Sequence, residues 1–69
     1  MAKRNVVNEY GIVIDYEVAE NLMDNDLREK IAFEMDLPVS DQEFFDEYCK
    51  KHEQEFGEVW EFAKENPCY

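Results

Sequence analysis

Sixty-nine residues suffice for one domain, and a chain of that size buries only about 60% of its unfolded surface, so its core is marginal. Eighteen Asp and Glu against seven Lys and Arg give a formal charge of −11. That balance disfavours direct binding to DNA, RNA or an anionic membrane and favours a basic partner. Two Gly, two Pro, one Ser and no Thr favour helices joined by short loops, and two cysteines are too few for a disulfide scaffold.

Residues 1–69 read as a single domain, with 1–9 loosely ordered. The start "MAKRNVVNEYG" is basic but lacks the apolar run of a signal peptide. No stretch approaches the roughly 20 apolar residues of a membrane span. A cytoplasmic protein with free thiols is expected. "YGIVID" (10–15) is apolar and β-branched, and is either a short extended segment or the entry to a helix. Asp15 is a fair N-cap for "YEVAENLM", where Ala19, Leu22 and Met23 share a face with Tyr16 at its edge. Asp24 or Asn25 can cap a second helix, "DLREKIAFEM". Leu27, Ile31 and Met35 recur there every fourth residue as one apolar stripe, and Phe33 falls off it. Pro38 ends this helix by biasing Leu37 away from helical angles.

"SDQE" (40–43) is a capping box, in which the Ser40 hydroxyl accepts from the Glu43 amide and Glu43 reaches back. The last helix should run from Asp41 to about Glu65. At about 100° per residue, Phe45, Tyr48, Cys49, His52, Phe56, Val59, Trp60 and Ala63 share one arc, with Phe44 and Phe62 flanking it. Gly57 falls on the polar side, so one long or slightly kinked helix is expected. The fold class is therefore mainly α: a small bundle of three to four helices with an irregular or short extended N-terminal segment.

Catalytic and cofactor motifs are weak. Cys49 and His52 have the i, i+3 spacing of helix neighbours. Zinc needs four ligands, Cys68 would be a third, and no fourth stands out, so both residues read as core members. "DNDLREKIAFEM" (24–35) begins like a calcium loop but has Glu29 where glycine is required and Met35 where glutamate is required. No enzyme, metal or cofactor is expected. The opposite face of the last helix carries Glu43, Glu47, Lys50, Gln54, Glu58, Glu61 and Glu65. A 25-residue helix of about 37 Å would lie beside about 22 charges of duplex DNA. Residues 41–65 carry a net −6, so an imitation of nucleic acid needs Asp24, Asp26, Glu29, Glu34 and Asp36 as well. For any single carboxylate, a solvated helix face is the plainer reading.

"VNEYGIVIDYEVAENLMDNDLREKI" and "EQEFGEVWEFAKENPCY" after "QEFFDEYCKKH" resemble small acidic proteins carried on conjugative and phage-like mobile elements of Firmicutes. The resemblance covers most of the chain after Asn5 and brings no active site with it. It implies a class of host-defence inhibitors, the antirestriction and anti-CRISPR type, that occupy nucleic-acid grooves. Three functions compete. The first is a binding module whose acidic face fills a basic groove of a nuclease or other nucleic-acid-binding protein. The second is a helical adaptor anchored by Phe33, Phe44 and Phe62, or a homodimer that buries a spare apolar face against its copy. The third is a Cys/His metal or redox protein.

Overall fold

The computed structural model describes residues 4–36 and 39–66. In order come β1 (Asn5–Val7), β2 (Val13–Asp15), α1 (Tyr16–Asn21), α2 (Asn25–Met35), α3 (Asp41–Phe56) and a 3-10 turn (Glu61–Ala63). The fold is mainly α with a short extended N-terminal segment, as the composition predicts.

Residues 5–7, read from sequence as part of a loose start, form a strand because tertiary partners hold them. β1 and β2 pair antiparallel with Val6 opposite Ile14, and both side chains enter the core. Val7 and Val13 fall on the other face and stay exposed, as the two-residue period requires. Arg4 clasps the strand from one end. Its Nε and a terminal nitrogen each donate to Asp41 at 2.8 Å, that same nitrogen lies 3.4 Å from Glu20, and its guanidinium covers the Tyr16 ring at 4.7 Å. Asn8 holds the other end. Its Oδ1 accepts from the Tyr10 and Ile12 amides at 2.9 and 3.1 Å, which shapes the turn in which Gly11 takes φ +77°. Its Nδ2 donates to the carbonyls of Phe62 and Lys64 at 3.1 and 2.9 Å. One buried amide thus ties the hairpin to the end of the chain.

The helix starts follow their local chemistry. Asp15 accepts from the Glu17 amide, Asp24 from Leu27 and Ser40 from Glu43. α1 stops at Asn21, so Leu22 leaves the helical phase and points outward, while Met23 stays buried. Leu27 and Ile31 are buried and Met35 packs beside them. α2 ends where Asp36 takes φ +55°. Leu37 and Pro38, expected to end that helix, lie outside the described residues. The pairs Lys30–Glu55 and Glu34–Lys51 set α2 and α3 running in opposite senses. The Asp24 amide donates to the Tyr48 hydroxyl at 2.8 Å and pins the α1–α2 junction to α3.

The expected long last helix does not form. α3 ends at Gly57, which adopts φ +73° and donates its amide to the Glu53 carbonyl at 2.9 Å. Glycine reaches the left-handed region at little cost, and this is the usual way for a helix to stop. The chain then turns back over α3. The His52 Nδ1 lies 3.0 Å from the Glu58 carbonyl oxygen, a bond it makes with its proton on that nitrogen. Trp60 meets Tyr48 edge-on at 4.4 Å and Phe62 at 4.8 Å. Trp60, Phe62 and Ala63 are buried by this return and not by continuing the helical stripe, whereas Phe56 and Val59, on the reversal itself, are exposed.

Candidate partner-binding surface

The end of α3 at Phe56 divides the acidic face predicted from phase. Glu43 and Glu47 lie on α3. Glu58 sits in the reversal, Glu61 lies in the 3-10 turn with Lys64 at 3.2 Å, and Glu65 follows it. α3 alone is about 24 Å long and would lie beside about 14 charges of duplex DNA. It carries six acids and two bases. On α2, Asp26 and Glu29 are exposed, Asp24 is occupied as the N-cap, Glu34 is paired with Lys51 at 3.3 Å, and Asp36 lies at the helix exit.

The aromatic anchors separate as well. Phe33 is 90% exposed on α2, while Phe44 and Phe62 are only 8% and 1% exposed. Those two are core residues and present no ring to a partner. Phe44 faces inward as a member of the buried core cluster. Phe62 faces inward because the return segment lays it against Trp60.

The two flanks of α3 differ in charge. Toward α2, Lys30 lies 2.6 Å from Glu55 and Lys51 lies 3.3 Å from Glu34. The Lys30 ammonium holds the Glu55 carboxyl below the usual range, first by its hydrogen bond and then by its charge. Toward the hairpin, α3, β1 and the return segment enclose a cleft of about 580 Å³. Val7, Cys49 and Val59 contribute apolar wall, and Glu9, Asp46 and Glu53 contribute carboxylates. Among the described residues no cation is bound to any of these three, although Lys50 also borders the cleft. Gln42 locks this side. Its amide accepts from the Val7 N–H and donates to the Val7 carbonyl at 2.8 and 2.7 Å, and it donates to Asp46 at 2.9 Å.

Cys49 and His52 are both half-buried. Burial pushes the Cys49 thiol up to about 12, with the charges of Asp46 and Glu9 adding to it, so the thiolate needed for metal binding or redox chemistry is disfavoured. No group of three or more His, Cys, Asp or Glu among the described residues could hold a metal ion. Cys68, the candidate third ligand, lies outside them. Sequence reasoning passed over Glu9, Asp46 and Glu53. Asp46, Cys49 and Glu53 do carry a signal, since their i, i+3, i+7 spacing puts two carboxylates either side of an apolar position. Glu9 carried none, because only the hairpin brings it across.

The fold and this surface describe a small acidic, mainly helical protein. A family model described as anti-CRISPR protein AcrIC5 matches residues 7–60, and the chain belongs to that family. It is therefore an inhibitor of a host defence system, of a kind that is generally non-enzymatic and that binds a CRISPR–Cas protein. No curated protein and no solved structure matches the chain. Among the described residues no helix is long and apolar enough to cross a membrane.

Proposed function

We propose that the protein inhibits its CRISPR–Cas target by occupying a basic nucleic-acid groove with carboxylates that its own cations leave unneutralised. One observation carries this reading. Arg4, Lys30, Lys51 and Lys64 are each engaged by carboxylates of the same chain. The exposed acids Glu9, Asp26, Glu29, Glu43, Asp46 and Glu53 have no such partner among the described residues. Their charge is available to a basic surface, which they would steer and orient over a distance of about a Debye length. The protein acts in the cytoplasm, beside its target, and does not itself bind nucleic acid.

The test is a pull-down from bacterial lysate carrying the CRISPR–Cas system, at low and high salt, followed by competition with the nucleic acid that the captured complex uses. Affinity should fall steeply with salt, and inhibitor and nucleic acid should exclude each other. Salt-independent capture, or both ligands bound at once, would count against the reading. A second reading is favoured by Phe33, which stands 90% exposed on α2. There the aromatic ring anchors the partner, and Phe33→Ala abolishes binding while charge reversal at Glu29 does not. In the homodimer version of that reading, light scattering gives twice the chain mass.

A further inference from the structure

We infer that the cleft between the hairpin and α3 receives an arginine side chain of the protein partner. This rests on the groove-filling reading above and adds where on this chain one cation is seated. The cleft is large enough for a long side chain, at about 580 Å³, and three elements build it. Its wall is apolar at Val7 and Val59, each 41% exposed, and at Cys49. Its carboxylates are Glu9 from the hairpin turn and Asp46 and Glu53 from α3, against one cation among the described residues, Lys50. That mixture suits a side chain with a methylene stem and a cationic head, because such residues lay the stem along apolar surface and keep the charge at its edge. A neutral apolar occupant would bury carboxylates without a partner, and an anionic one would be repelled.

Two further features favour arginine over lysine. Asp46 is already held in place, since Gln42 donates to it while bonding both polar groups of Val7. A fixed carboxylate loses little freedom on binding and suits the planar, two-pronged guanidinium. Guanidinium is also less strongly hydrated than ammonium and enters a half-apolar cleft at lower cost. Asp46 and Glu9, from different elements, both act on the Cys49 thiol.

N-acetylarginine amide titrated into the full-length ¹⁵N-labelled protein provides the direct test, with the citrulline analogue as the uncharged control of equal length. Saturable shifts at the Asn8, Asp46, Cys49 and Glu53 amides with the arginine probe alone support the inference. No saturable shift there, or equal shifts with citrulline, overturns it. The partner supplies the second arm. Asp46→Asn with Glu53→Gln should weaken capture of the CRISPR–Cas complex by about tenfold or more. Asp26→Asn with Glu29→Gln removes the same charge from the acidic surface outside the cleft and should also weaken capture, by a smaller factor. Equal losses in the two pairs would leave the groove-filling reading standing and remove the cleft. No loss in either would remove both. Glu53→Gln alone, a side chain without a hydrogen bond or ion pair among the described residues, serves if the double variant unfolds.

Discussion

On the flank of α3 that faces α2, Glu34 and Glu55 each meet a lysine of the other helix. On the flank that faces the hairpin, Glu9, Asp46 and Glu53 surround apolar wall with no cation bound among the described residues. Both flanks come from one amphipathic helix with acids on either side of its stripe. The first flank is finished internally and acts as a seam between helices. The second is left open to solvent as a cleft. In a chain of net −11, total charge therefore says little about where a partner is met. What matters is which carboxylates the fold has already matched.

Four substitutions or conditions would break or sharpen that contrast. Phe45, on the inward face of α3, is fully buried with its ring 5.9 Å from Trp60. Phe45→Ala should cost about 3–5 kcal/mol. That is most of the stability of a domain this size, so denaturation should show a largely unfolded population and both flanks should be lost together. Asn8→Ala should act on the cleft side alone. It removes a buried amide that makes four hydrogen bonds, at a cost of about 1–3 kcal/mol. Amide exchange should accelerate at Tyr10, Ile12 and the return segment, with α2 unaffected.

Gly57→Ala should cost about 1–2 kcal/mol, the penalty for an L-residue at positive φ. Among the described residues nothing lies within 4 Å of the added Cβ, so the cost is conformational and Gly57→Asn should recover part of it. The loss should appear as a loosened Trp60, read by its fluorescence. The smallest effect at neutral pH concerns Cys49. The folded thiol keeps its proton more tightly than the unfolded one, so its contribution is complete below about 9 and is lost as pH rises toward about 12. Melting temperature should fall over that window. Cys49→Ala should flatten the fall without abolishing it, because burial raises the Tyr16 and Tyr48 hydroxyls in the same direction.

The sequence made some of these features legible and hid others. The caps at Asp15, Asp24 and Ser40 were readable because each is a hydrogen bond between residues two or three apart. The stripe Leu27–Ile31 was readable for the same reason of local periodicity. Gly57 was not, since Trp60 and Ala63 keep helical phase on paper and are buried here by a reversal. Phe33, Phe44 and Phe62 look alike in a sequence. Their separation into one surface ring and two core rings depends on which neighbours fold over them. β1 was too short to show a period, and its order comes from Arg4, Gln42 and Asn8 reaching distant groups.

By itself, then, the sequence determined the charge, the mainly helical class and the places where helices begin, because composition and short-range capping set these within a few residues. The tertiary structure decided where α3 stops, which aromatic rings are surface and which carboxylates lack a cation. Those outcomes depend on contacts between residues far apart in the chain, such as Trp60 on Tyr48, Lys30 with Glu55, and Glu9 brought across to Asp46, and no local pattern encodes such meetings.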